Sequence, residues 1–562
     1  MKTSRRNFFQ NLGISAAGLG LMSPLGLKAQ SISSKSKSTE DEDDGQFLFI
    51  GDSIAVAETS NGKVRGFIHK DIYTFLGIPY GANTFGKNRF MAPQKPTPWK
   101  DIYPAVYWPN AAPQMVENMF TRNRYLSFVD YWHYDDISEN CLGLNVWTPG
   151  TDNKKRPVLL WIHGGGFTGG NSIEHPGYHG ENLARSGDIV FCSLNHRLGP
   201  LGFSDFSAIG GEKYAASGNV GLLDLVAALE WIRDNISTFG GDSGNVTIMG
   251  QSGGGAKVCT LVATYSAKGL FHKAVALSGH INMAIKKDFS EKMGAYILKE
   301  AGLTALTIDR LQEMSWSDYY QLANQASAKI TAETGGSGMK RGNFGPVADG
   351  VVLPTGIFYS DVNDYSAKVP MIMSSTVYES SPSAFDSTLE NITLDEAKQR
   401  VVSAPNFGAK PKNPSAAIDA YAKAFPNKKP IEILSMVLSN RALVMEAIEA
   451  KLQQPAPVYV SLFDWNPPLF DNRLRSFHTL DIAFYFMNTD YHASHTGGGS
   501  RPRRLAEKMS ASLVQFMKTG NPNVNGLPNW PKYSAVSGMT MILGDECVVK
   551  FDPDREARKS LA

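Results

Sequence analysis

The sequence predicts an α/β protein, in which a central, mostly parallel mixed sheet is flanked by helices and carries helical insertions over one end. Three observations predict it. Apolar runs of strand length recur along the chain, with helical patterns between most of them, the alternation that buries a parallel sheet under helices on both faces. One such run, Val246-Thr247-Ile248-Met249, opens through Gly250-Gln251-Ser252-Gly253-Gly254 directly into a helical stretch, giving a strand, a sharp turn and a helix. Finally, 42% of the 562 residues are hydrophobic, ample for a large core, and neither a repeat nor an internal linker divides the chain.

The first thirty residues stand outside this fold. Ser4-Arg5-Arg6-Asn7-Phe8-Phe9 is a twin-arginine motif, followed by a modestly apolar stretch over 12–25, and the two together read as an export signal cut near Ala29. Residues 31–45, rich in Ser, Lys, Asp and Glu, are too polar to bury and form a flexible spacer. A single domain is expected over 46–562, exported to the periplasm or secreted. No later segment approaches the roughly 18 uninterrupted apolar residues of a membrane span.

Residues 54–58 and 63–69, joined across Ser60-Asn61-Gly62, read as a hairpin at the edge of the sheet, because Asn-Gly suits a tight turn. Strands follow at 142–147, 157–162, 189–194, 246–249, 273–277, 369–373 and 458–463. The clearest helix spans 220–235, where Leu222, Leu223, Val226, Leu229 and Ile232 share one face. Two helix-rich stretches, 290–331 and 393–453, read as insertions above or beside the sheet, with 431–452 a core helix. In such a sheet the ligand site lies at the carboxyl ends of the strands.

The net charge of +2, with both signs interspersed, implies neither a nucleic-acid groove nor an acidic partner; a small, largely uncharged ligand fits better. Four cysteines, Cys141, Cys192, Cys259 and Cys547, match no zinc spacing. Cys192 and Cys259 sit in apolar runs and read as core.

A serine held on a strained turn between strand and helix presents its hydroxyl at the end of the sheet, beside helix N–H groups that favour developing negative charge. Ser252 is therefore the candidate nucleophile. Upstream, the apolar run 159–162 opens into His163-Gly164-Gly165-Gly166-Phe167, glycines that let backbone N–H groups approach an oxyanion closely. Gly164 to Gly169 also satisfies G-x-G-x-x-G, but no helix pattern starts after it and Asp188 precedes, rather than ends, the next strand, so dinucleotide binding fails in context.

A serine needs a base, and the base needs an acid to fix its tautomer. Of eleven histidines, only His478, His492 and His495 lie well downstream of Ser252. His478 precedes an apolar helical run; His492 and His495 fall in a polar, glycine-rich stretch read as a solvated loop rather than a metal site. For the acid, Glu379 follows the strand at 369–373, whereas Asp361 and Asp386 follow none directly.

These residues together resemble the type-B carboxylesterases, the cholinesterase-like and para-nitrobenzyl-esterase-like branch of the α/β-hydrolases. The landmarks run in order over nearly the whole domain: Phe75-Leu76-Gly77-Ile78-Pro79-Tyr80-Gly81, Glu139-Asn140-Cys141-Leu142-Gly143-Leu144-Asn145-Val146-Trp147, the glycine loop, Asn195-His196-Arg197-Leu198-Gly199, Gly218-Asn219-Val220-Gly221, the Ser252 turn, Glu379 and His478. The resemblance implies hydrolysis of small-molecule carboxylic esters by a Ser252, Glu379 and His478 triad. Gly165, Gly166 and Gly253 would donate to the oxyanion, and neither cofactor nor metal is needed. A lipase, an aryl or polysaccharide esterase, or a neuroligin-like binding protein could share the same fold.

Three departures stand out. Gln251 replaces the commoner glutamate before the nucleophile. Ala112 stands where the family often places the cysteine that bridges to the position of Cys141, so that disulfide cannot form. The segment 120–134, with Tyr125, Phe128, Tyr131, Trp132 and Tyr134, is more aromatic than usual and either lines the site entrance or packs on the body.

Overall fold

A computed structural model describes residues 45–115, 124–129, 136–337, 342–359, 365–403 and 411–561. The stretch expected to be an export signal, nearly all of the expected spacer, Phe120, Tyr131, Trp132, Tyr134 and Asp361 lie outside the described residues.

In chain order the strands are β1 (Leu48–Phe49), β2 (Val56–Thr59), β3 (Gly62–Arg65), β4 (Phe67–His69), β5 (Ile72–Pro79), β6 (Tyr103–Pro104), β7 (Gly143–Thr148), β8 (Arg156–Ile162) and β9 (Val190–Leu194). There follow β10 (Gly241–Gln251), β11 (Lys273–Leu277), β12 (Ile285–Lys286), β13 (Val347–Ala348), β14 (Met371–Thr376), β15 (Val458–Phe463), β16 (Met539–Leu543) and β17 (Val548–Phe551). Among the described residues the main sheet has twelve strands, in the order β1-β4-β5-β7-β9-β8-β10-β11-β14-β15-β16-β17. Every pair from β9 through β16 is parallel, and antiparallel strands close both edges.

Side chains alternate along the central strands, as the two-residue period requires. Val158, Leu160 and Ile162 enter one core beneath the helices Val220–Asn235 and Gly253–Ala263, while Leu159 and Trp161 enter a second beneath the helix Ser500–Thr519. Both faces are thus buried, which is why these strands read as continuous apolar runs. The stretch Glu212–Phe239 is long and apolar enough to cross a membrane by length and composition, but most of it is buried inside the fold.

The order β9-β8-β10 reverses the direction in which strands are added, creating a switch point at the carboxyl ends of β8 and β10. The glycine loop leaves one of these strands and Ser252 leaves the other. Nearby loops are pinned by fully buried ion pairs, Arg89 with Glu139 and Arg197 with Asp224, each at 2.6 Å. Both are hydrogen-bonded at several atoms, the condition under which buried charges are tolerated.

Two expectations require correction. The hairpin β2–β3 forms, but with β6 it makes a separate three-stranded sheet instead of edging the main one. Its second arm breaks at Gly66, where a Cβ would lie 2.0 Å from the Thr74 carbonyl, so the chain re-enters the main sheet as β4. The apolar run at 431–452 is buried as expected but divides into the helices Pro430–Val437 and Arg441–Lys451.

Candidate active site

Ser252 follows the last residue of β10 and precedes the helix Gly253–Ala263, with φ +58° and ψ −123°, a conformation that costs energy in a side-chain-bearing residue. The surroundings force it. A Cβ on Gly250 would stand 2.4 Å from the Gly254 carbonyl carbon, one on Gly254 would stand 2.0 Å from the Ile162 oxygen, and one on Gly279 would stand 1.5 Å from the Ser252 oxygen. Only glycine lets the three backbones meet. The Ser252 N–H is held by the Leu277 carbonyl at 2.8 Å, and its side chain stays partly exposed while Gln251 is buried.

β8 ends at Ile162, and the chain turns through Gly165 (φ +79°) and Gly166 (φ +66°). These N–H groups donate to no backbone carbonyl among the described residues. The Gly165 carbonyl accepts from Gly169 at 2.9 Å, closing the turn. A Cβ on Gly253 would lie 2.1 Å from the Gly166 nitrogen, so the loop rests directly on the first turn of the helix after Ser252. That first turn contributes N–H groups without intrahelical partners. The glycine loop and the start of the helix after Ser252 therefore abut beside the serine.

Glu379 lies three residues past β14, with φ +51°. Its carboxylate is buried and pairs with Nδ1 of His478. The other carboxylate oxygen accepts from the Thr376 N–H at 3.3 Å, and the Glu379 N–H donates to Thr376 Oγ1 at 3.1 Å. A backbone bond from His478 N–H to the Glu379 carbonyl, 2.9 Å, ties the two segments together. Nδ1 pairs with the carboxylate, so Nε2 lies on the side of the ring away from Glu379. The ring reaches the serine turn, with Gln251 Nε2 3.3 Å from both of its nitrogens.

The structure thus brings Glu379 to His478 and His478 to the residue preceding Ser252. Asp386 does not join them; it is exposed and caps a short helix through Thr388. His492 and His495 depart from expectation. Both are buried, and their rings stack at 3.5 Å between centroids, with His175 at 4.7 Å from His492 and Phe477 at 5.0 Å from His495. Polarity was a poor guide because the covering residues lie either more than three hundred positions earlier or beside the candidate base. Among the described residues no group of three His, Cys, Asp or Glu could hold a metal.

Two neighbours of His478 escape a reading by motif. In sequence Gln251 stands out only as a departure from the family pattern, and Asp481 looks like an ordinary charge before an apolar run. In the fold Asp481 is wholly buried with no side-chain hydrogen-bond partner among the described residues, and burial together with the nearby Glu379 charge raises its pKa to about 8. Tyr125 and Phe128, on the helix Arg124–Val129, are exposed. Tyr125 stacks on Phe385 at 6.0 Å and meets Phe470 edge-on at 5.6 Å, which joins the aromatic segment to the loop that follows Glu379.

A parallel sheet with a strained serine after one strand, a glycine loop after its neighbour and a carboxylate–histidine pair beyond two others defines an α/β-hydrolase. The chain belongs to the carboxylesterase family, whose model matches residues 53–558. It is 32% identical over 514 residues to the para-nitrobenzyl esterase of Bacillus subtilis (strain 168), covering 90% of this chain and 98% of that one. It is also 30% identical to the phenmedipham hydrolase of Pseudarthrobacter oxydans, covering 87% of this chain and 95% of that one. Among solved structures, an esterase from Clostridium hathewayi, described as hydrolysing aliphatic aromatic polyesters, superposes with a TM-score of 0.77 at 32% identity, covering 92% of this chain and 99% of that one. The protein is a carboxylic ester hydrolase acting on small-molecule esters.

Proposed function

We propose that hydrolysis proceeds through an acyl-enzyme on Ser252, with His478 as base and Glu379 as its orienting acid. The observation that carries this reading is the buried Glu379–His478 pair with its ring against the serine turn. Nε2 of His478 takes the Ser252 proton as Oγ bonds to the ester carbonyl carbon. The resulting oxyanion is met by the N–H groups of Gly165, Gly166 and Gly253. His478 returns the proton to the departing alkoxide, and water repeats the sequence to release the acid. Ser252, activated in this way, needs no cofactor.

A preference for aryl esters is the second reading, favoured by the exposed Tyr125 and Phe128 with Phe385 and Phe470, which offer ring faces for stacking. The twin-arginine motif at residues 4–9 supports export of the folded chain to the periplasm or beyond. The test is a fluorophosphonate probe with mass-spectrometric mapping, alongside a short-chain p-nitrophenyl ester assay of wild type and Ser252→Ala. Labelling at Ser252, with turnover lost in the variant, is expected; a folded wild type that is neither labelled nor active would return the chain to the binding-protein reading.

A further inference from the structure

Lys257 stands on the helix Gly253–Ala263, five residues after Ser252, with no solvent exposure. Its ammonium donates to the carbonyl oxygens of His163, at 3.0 Å, and Gly164, at 3.2 Å. Around it lie the stacked rings of His163 and His196, 5.2 Å apart, which burial holds well below the usual histidine range, and the carboxylate of Glu174 acting across the loop. Burial pulls the lysine itself down to about 7. A buried ammonium is costly, and an apolar side chain of similar length would fill this space without that cost. What the lysine gains in return is concentrated at one turn of backbone.

The Gly164 carbonyl belongs to the same peptide unit as the Gly165 N–H. It accepts twice, from Lys257 and from His163 Nδ1 at 3.0 Å. Hydrogen bonds to a peptide oxygen polarise the unit and strengthen its N–H as a donor. We propose that Lys257 is a positioning residue of the oxyanion loop: its Nζ grips the Gly164 carbonyl from behind, fixing the plane of that peptide and strengthening the Gly165 N–H that meets the oxyanion. Because the lysine grows from the nucleophile's own helix, it also fixes the spacing between nucleophile and donor. The inference rests on the acyl-enzyme reading of Ser252.

The test compares wild type, Lys257→Met and Lys257→Gln as full chains, with active sites counted by fluorophosphonate labelling. Three quantities are read: kcat per labelled site and KM on p-nitrophenyl butyrate, and affinity for a trifluoromethyl ketone that mimics the oxyanion. In Lys257→Met, kcat per labelled site is expected to fall about 10-fold to 100-fold, less than for loss of a direct donor. KM should stay within about twofold, and ketone affinity should fall in step with kcat/KM. Lys257→Gln, which keeps a neutral N–H donor, should lose less. A Met variant that melts earlier yet keeps wild-type kcat per labelled site and ketone affinity makes the lysine structural only and overturns the proposal. If Lys257→Met yields no labelled protein, the Gln variant decides by the same readouts. Absence of labelling in folded wild type would overturn the acyl-enzyme reading itself, and this inference with it.

Discussion

The side-chain amide of Gln251 lies 3.3 Å from both ring nitrogens of His478. Nδ1 pairs with Glu379, and the amide borders Nε2, the atom that takes the serine proton in the proposed mechanism. Gln251→Ala removes the amide that borders the ring and is expected to lower kcat/KM on p-nitrophenyl butyrate by about 3-fold to 10-fold through looser positioning of the ring, with the melting temperature little changed. Wild-type kcat/KM in the folded variant would contradict a role for the contact.

Glu379→Gln tests the orienting role. The amide can donate to Nδ1, driving the ring proton to Nε2 and removing the base. A fall in kcat of about 10³ to 10⁴ is expected, with fluorophosphonate labelling of Ser252 slowed in parallel and the melting temperature little changed.

Gly165→Ala places a Cβ 2.2 Å from the Gly169 oxygen at a backbone φ of +79°. The clash is with backbone, so the loop itself must move. A loss of about 10² to 10³ in kcat is expected from displacement of the oxyanion donor, with Ser252 still present for slow labelling. Turnover near wild type would sink the assignment of this loop.

Asp481 sets a slope in stability. Its pKa is raised to about 8 by burial and then by the Glu379 charge. Below about pH 4 the folded and unfolded chains both hold the proton, so there is no penalty. As pH rises towards 8 the unfolded chain releases a proton that the folded chain keeps, and stability falls across that window. Asp481→Asn should flatten the slope, raising the melting temperature by a few °C at pH 8 and by little at pH 4. Thermal melts across the pH range check it; a gain largest at pH 4 would reverse the sign and refute it.

Local pattern was a good guide where neighbours in sequence are also neighbours in space. The helix Val220–Asn235 and the strands Lys273–Leu277 and Val458–Phe463 lie where their apolar periodicity placed them. The strand before Ser252 begins five residues earlier than its apolar run, because Gly241 pairs with Arg156 and the polar residues between bulge outward. Ser252 was legible because its turn imposes small residues at fixed spacing. Glu379 was legible only as a carboxylate beyond a strand, since its pairing with His478 joins residues 99 apart. Lys257 and the rings of His492 and His495 carried no local signal: each is buried by segments distant in the chain.

The helical insertions, with helices at Lys287–Glu300 and Trp316–Thr334 and from Leu394–Ser403 to Arg441–Lys451, enter between β11 and β14 and between β14 and β15. Neither interrupts the step from β8 to β10 where the serine turn and glycine loop abut. Heritable change can therefore lengthen, shorten or exchange these segments while the serine turn and the glycine loop keep their mutual register.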